Sequence, residues 1–272
     1  MGKVRYKGRL RLPEVNGLFG ESGNLPVCPW ILGALLGNGY LSKDKISFST
    51  NDPDTLQKIK TYLGEENVRF SGGYDFYIML SSKDGSALRR NLTEIGIIDC
   101  LSNEKFIPSQ YLKASREDRC ELLRGLLDTD GWAEKWGSVR YCTTSRQLAL
   151  DIQQLVWSIG GCCNISSRNP KFTYKNENKV GMTAFTLNIS HSNRSGLFSL
   201  GRKKERCEGK MSYKSPHFVS IEPDGMEECV CISVSHSSKL YVTSNFLVTH
   251  NTAAGLGIGI RSAKQTGKRT LY

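Results

Sequence analysis

Ile31-Leu-Gly-Ala-Leu-Leu-Gly-Asn-Gly39 and Leu123-Arg-Gly-Leu-Leu-Asp-Thr-Asp-Gly131 are the two stretches whose comparison decides the fold. Each is apolar, carries small residues along one stripe, and ends in an acid or amide followed by glycine. The pattern predicts a helix in both. Pro29 suits the first turn of one, and Ser115-x-x-Asp118 reads as a capping box ahead of the other. Gly39 and Gly131 are expected in the left-handed conformation that closes a helix. One such helix is more often plain core than a catalytic element. Two in matched contexts, 92 positions apart, read as a duplication.

The match continues outward. Ile46-Ser-Phe-Ser-Thr50 and Val139-Arg-Tyr-Cys-Thr143 read as strands. Leu56, Ile59 and Leu63 then mark one amphipathic helix; Leu148, Ile152, Leu155 and Ile159 mark its counterpart. Asn51-Asp52-Pro53 and Thr144-Ser145 give both a start signal. The repeating unit is helix, strands, helix, strands. Gly33, Ala34, Gly37, Gly125 and Thr129 are small enough for the two motif helices to pack closely, so that both end at one place. Asn38 and Asp130 would then meet near a pseudo-twofold axis. The partial negative charge of a helix C-terminus favours a cation there. Oxygen donors in that position can hold Mg²⁺ against the phosphates of two DNA strands. Asp130 and Asn38, with the adjoining Gly39 and Gly131, are the candidate metal-holding positions, and Mg²⁺ is the expected cofactor.

Composition agrees with a nucleic-acid partner. The 272 residues carry a formal net charge of +11 and a pI near 9.2, and neutralising phosphates releases counterions. A membrane partner is not expected, because no amphipathic basic helix is evident. The longest apolar run, Ile31 to Gly37, is too short to cross a bilayer. No signal peptide follows the basic start, and the nine cysteines have no zinc-finger spacing. They read as reduced thiols of a cytoplasmic protein.

The paired motif resembles the dodecapeptide (DOD) type of LAGLIDADG homing endonucleases, over roughly Cys28 to Lys214. Lys105-Phe-Ile-Pro108 is similar to that family's Lys-x-Ile-Pro block, and Arg202-Lys-Lys-Glu-Arg206 falls where the second repeat would place its own basic block. The resemblance implies an α+β fold of two pseudo-symmetric αββαββα repeats, forming a basic saddle over double-stranded DNA, in a monomer. It makes Lys105 and either Lys203 or Lys204 candidates for basic residues near the scissile phosphates. The bland alternative for each is an exposed lysine. Asn38 departs from the family pattern, which has an acid before the final glycine. An amide oxygen can bind Mg²⁺ but brings no charge. Weak cleavage, single-strand nicking, or a DNA-binding or maturase-like remnant are the readings this leaves open.

From Phe218 the chain turns strand-like: Phe218–Ile221, Cys229–Val234 and Leu240–Thr243. Leu240-Tyr-Val-Thr-Ser-Asn-Phe-Leu-Val-Thr-His-Asn-Thr252 then closely resembles the last two blocks of inteins. Asn251 can cyclise and cut the chain after itself. His250 can move protons at the scissile amide, and Thr252 offers a hydroxyl nucleophile. Cys231 and Thr249 are similar to a minor intein class in which a cysteine is the first nucleophile. The Thr-x-x-His block common near the start of inteins is not found ahead of Ile31. A separately encoded or lost N-terminal half of an incomplete Hint (intein splicing) domain is therefore expected. The resulting division is 1–27 lead-in, 28–120 first repeat, 121–214 second repeat, 215–251 C-terminal splicing segment and 252–272 start of a host protein. The upstream segments are similar to inteins of phage or replicative-helicase type.

Overall fold

The computed structural model describes residues 12–21, 23–175, 177–208 and 232–250. Helix α1 (Pro29–Asn38) is apolar all round and buried from Trp30 to Leu36. A helix of that kind has no water-facing side and must sit between other layers. It is followed by β1 (Gly39–Leu41), β2 (Ile46–Ser49), α2 (Pro53–Leu63), β3 (Val68–Gly72), β4 (Asp75–Ile78) and α3 (Lys83–Glu94). A short α4 (Ser109–Leu112) leads to the second motif helix, α5 (Arg116–Thr129). Then come β5 (Gly131–Ala133), β6 (Val139–Thr143), α6 (Arg146–Ser158), β7 (Cys162–Arg168), β8 (Lys171–Tyr174), β9 (Glu177–Val180), β10 (Ala184–Ser190) and α7 (Gly201–Cys207). The last described residues include a hairpin of β11 (Leu240–Val242) and β12 (Val248–His250).

Two four-stranded antiparallel sheets have the same order, β1-β2-β4-β3 and β5-β6-β10-β7. They differ in one respect the sequence did not reveal: β8 and β9 form a two-stranded extension between β7 and β10. The first repeat instead turns tightly between β3 and β4 through Gly72 and Gly73, both at positive φ. Each sheet lays its apolar side on its second helix and on the α1–α5 pair. Ile46, Ile59, Leu63 and Leu92 fill one half of the core, and Val139, Tyr141, Ile152 and Leu187 the other. At roughly 1.5–3 kcal/mol for each large side chain withdrawn from water, this single continuous core dominates the stabilisation.

Local signals behave as the residues require. Asp52 and Ser145 cap α2 and α6, accepting from Thr55 N and Leu148 N at 3.0 Å each, and Pro29 and Pro53 stand in first turns. Ser115 accepts from Asp118 N at 3.2 Å, but Asp118 receives the Ser115 hydroxyl rather than its amide, a variant of the expected box. The motif glycines correct an expectation. Gly39 is extended (φ −88°, ψ 142°), and Gly131 is already the first residue of β5, where no left-handed residue occurs. Glycine is needed there for space. A Cβ at Gly39 would lie 2.3 Å from Leu35 O, and one at Gly131 2.6 Å from Leu127 Cα, because each helix passes directly into a strand folded back across it.

Residues 218–221 and 229–231 of the expected splicing strands lie outside the described residues, and Ile232–Val234 form no strand. The β11–β12 hairpin packs on the lead-in segment, where Phe246 stacks on Phe19 with ring centroids 5.6 Å apart. The buried Arg119 of α5 lies 4.0 Å beneath Phe19 and donates to the carbonyls of Gly17, Phe19, Ala114 and Ser158. None of the seven described cysteines forms a disulfide. Among the described residues no helix is long and apolar enough to cross a membrane.

Candidate active site at the paired helix ends

Helices α1 and α5 approach through glycines on facing sides. A Cβ at Gly33 would come 2.3 Å from Leu122 O, and one at Gly125 2.1 Å from Trp30 O. So close a seam brings both C-termini together. A Cβ at Gly37, one residue before Asn38, would stand 2.2 Å from Thr129 Oγ1 and 3.6 Å from Asp130 Cγ. The end of α1 therefore abuts the residue that closes α5. Asn38 is half-buried and Asp130 reaches solvent.

Each helix end is closed by a lysine from far along the chain. Lys105 Nζ donates to the carbonyls of Leu35, Leu36, Gly37 and Gly39 at 2.9–3.3 Å. Lys203 Nζ donates to those of Leu127, Asp128 and Gly131 at 2.6–2.8 Å. These are the carbonyls that a helix leaves without partners, and the ammonium meets both their hydrogen-bonding need and the negative end of the dipole. Both lysines are buried, which answers the exposed-lysine alternative; Lys204, the other candidate, is only half-buried. Burial pulls each ammonium down to a pKa of about 8, against the attraction of Asp130 and, for Lys203, of Asp128 first. Crowding by the two helix ends raises the Asp130 pKa, while the ammoniums of Lys105 and Lys203 draw it back.

The segments bearing these lysines hang on the opposite repeat. Ser145, the cap of α6, donates to Lys105 O at 2.5 Å, and Asp151 of α6 accepts from Ile107 N at 2.8 Å. Arg202 pairs with Asp52, the cap of α2, at 2.7 Å, and Lys58 of α2 reaches Ser199 at 3.2 Å. Burial opposes the charge on Asp52, but the Thr55 amide and Arg202 outweigh it and hold its pKa below the ordinary carboxylate value. Asp128 completes the bracing. It is buried, accepts from Trp30 Nε1 at 2.9 Å across the seam, and takes Ser199 N and Leu200 N on its other oxygen. Asp52 and Ser145 were expected as helix starts and Arg202 as part of a basic block, but none of these residues was expected to brace a lysine segment. Asp128 could have been, since an acid inside an apolar motif, where the first repeat has Leu36, must find partners elsewhere.

Divalent cations that keep most of their water take one or two hard oxygen donors from a protein, and this junction could offer that many. Asp130 supplies a carboxylate and Asn38 an amide oxygen. The carbonyls of Gly39 and Gly131 already each accept from a lysine. Among the described residues there is no group of three or more His, Cys, Asp and Glu that could hold a metal by itself. The site is an open platform: two clefts of about 290 Å³ lie elsewhere, one beside the lead-in segment and the β11–β12 hairpin, the other beside Phe106 and Pro108. Of the splicing candidates, His250 ends β12, and Cys231, Asn251 and Thr252 lie outside the described residues.

Residues 117–190, from the first turn of α5 to the end of β10, match the family described as LAGLIDADG-like domain. Over 236 residues the chain is 32% identical to the replicative DNA helicase DnaB of Mycobacterium intracellulare, covering 85% of this chain and 36% of that protein. It is 28% identical over 149 residues to the replicative DNA helicase DnaB of Synechocystis sp., covering 48% and 17%. The chain thus spans about a third or less of the length of these curated relatives. Among solved structures, the homing endonuclease I-DmoI in complex with DNA and Ca gives a TM-score of 0.44 at 14% identity, covering 68% of this chain and 97% of that one. Its complex with DNA and Mn gives 0.37 at 14%, covering 63% and 93%.

Proposed function

We propose that the chain is an intein-borne homing endonuclease of the two-motif kind, a monomer of the cytoplasm. It would hydrolyse phosphodiesters in double-stranded DNA with Mg²⁺. The observation that carries this reading is the position of Asp130, a lone carboxylate where two helix C-termini meet, between two buried lysines and beside two sheets of one topology. The LAGLIDADG-like domain that includes it supports the same reading. A metal ion held by Asp130 and Asn38 would activate water and stabilise the departing oxygen. The chain's own part is electrostatic positioning. Lys105 and Lys203 neutralise the helix ends and favour the charged form of Asp130 against the burial that raises its pKa, so that a phosphate can approach. The net charge of +11 draws the duplex in.

The host is proposed to be a replicative helicase. An alignment spanning 85% of this chain cannot be confined to its flanks, so the M. intracellulare protein of that name carries a counterpart of much of the endonuclease-like region. The deciding experiment is incubation of purified chain with Mg²⁺ and a duplex of the helicase gene rejoined across the insertion point. A specific cut establishes the enzyme. Tight, salt-sensitive binding without a cut would establish the second reading, a DNA-binding remnant, which Asn38 favours.

Two strands ask for two charged positions, and Asn38 leaves one neutral. The parent is expected to nick supercoiled target plasmid faster than it linearises it. Asn38→Asp is expected to raise linear product about tenfold or more. Equal nicked-to-linear ratios in the two proteins would show that the amide is no handicap.

The splicing assignment adds His250, Asn251 and Thr252, with Cys231 as the first nucleophile of the minor class and an N-terminal half supplied separately. In a reconstituted intein, mass spectrometry is expected to find chain ending at Asn251, and Asn251→Ala is expected to remove that product. Persistence of the cut in Asn251→Ala would refute the cyclisation.

A further inference from the structure

Strand register settles which side chains share the open face of each sheet. One row across the first sheet is Tyr40, Ser47, Tyr77 and Arg69. The corresponding row of the second is Trp132, Arg140, Asn188 and Asn164. Each row begins on the residue after the motif glycine, so both stand equally far from the paired helix ends. The rows beside them, such as Leu41-Ile46 and Val139-Ile189, are buried, and these two are therefore the water-facing ones.

Their chemistry is unequal. Tyr40 and Tyr77 are 60% and 38% exposed and offer ring faces, with one serine and one arginine beside them. Ring faces and hydroxyls carry little of the major-groove code, which leaves the exposed Arg69 as the one strong base-reading group of this row, against three in the other. Asn188 and Asn164 are exposed and directly opposite each other on neighbouring strands. A carboxamide matches adenine N6 and N7, and a guanidinium matches guanine O6 and N7. Arg140 is held for such a contact: its Nε lies 3.5 Å from Glu134, whose carboxylate also receives Trp132 Nε1 at 3.1 Å. The second sheet is also longer. β7 and β10 have seven residues each, against five and four in β3 and β4, and the β8–β9 extension continues it with Lys171 and Lys179.

We propose that the two halves of the DNA target are read unequally: stringently by the second sheet, through Arg140, Asn188 and Asn164, and loosely by the first. The inference rests on the endonuclease reading above. The test is affinity of the whole chain for duplexes of the rejoined helicase gene, with each base pair changed in turn. Changes that weaken binding about tenfold or more are expected to cluster on one side of the centre. Asn188→Ala is expected to abolish that sensitivity at one or two positions on the same side. Tyr77→Ala is expected to weaken all duplexes alike. Sensitivity spread evenly over both sides, or an Asn188→Ala effect confined to the tolerant side, overturns the unequal reading and leaves the endonuclease intact. A parent duplex bound no better than unrelated DNA overturns both.

Discussion

Asp130→Ala is expected to reduce Mg²⁺-dependent cleavage at least about a thousandfold, while the protein stays folded and still binds its duplex. A thousandfold is about 4 kcal/mol of activation free energy, the scale on which removing one preorganised electrostatic group acts. Here the effect should be at the upper end, because Asp130 is the one acidic side chain among the four candidate metal positions, and Asn38 cannot replace its charge. The fold should survive, because Asp130 closes α5 through its backbone, N–H to Leu126 O at 3.1 Å, and alanine keeps that bond. Loss of a negative charge on a basic surface should leave affinity equal or higher at low salt. Plasmid linearisation and gel retardation on one preparation measure both. Cleavage within a few-fold of the parent would remove Asp130 from the mechanism and, with it, the main support for the endonuclease reading.

Gly125→Ala is expected to be strongly destabilising for a change of one methyl group. The added Cβ would lie 2.1 Å from Trp30 O and 2.9 Å from Ala34 N, both backbone atoms of α1. No rotamer relieves a backbone contact, so the helices must separate. Overpacking of ordinary cores costs about 1–3 kcal/mol, and a rigid helix seam should lie at or beyond the top of that range. For a chain of this size about 3 kcal/mol is roughly 6–12 °C in Tm. Gly23→Ala is the control, because a Cβ there meets nothing within 4 Å. Calorimetry of the two variants decides. A Gly125→Ala midpoint within about 2 °C of the control would mean that the seam is looser than its geometry implies.

The parts of the fold that rest on period and punctuation were legible in the sequence. The apolar motif helices, the Ile46 and Val139 strands and the Asp52 and Ser145 caps all lie where residue spacing puts them, since each depends on neighbours a few positions away. What depends on distant partners was not legible. Lys105 and Lys203 were placed near the site, but nothing local shows that their ammoniums turn inward to helix carbonyls rather than outward to solvent. The open-face rows needed strand register, which is a property of pairs of strands. Gly39 and Gly131 were rightly singled out as helix-ending residues for a wrong reason: a rule about handedness stood in for a steric demand made by the preceding turn.

The crossed attachment of the two lysine segments has a mechanical consequence. Each ammonium seals the helix of its own half, yet the strap that delivers it is tied to the cap residue of the other half's second helix, Asp52 in one case and Ser145 in the other. Tilting one half against the other would therefore drag a lysine out of its ring of carbonyls at both ends at once. The molecule behaves as a caliper with locked jaws. Its opening is held by charged hydrogen bonds as well as by contact between apolar surfaces, and a rod lying between the jaws would have to bend to the gauge.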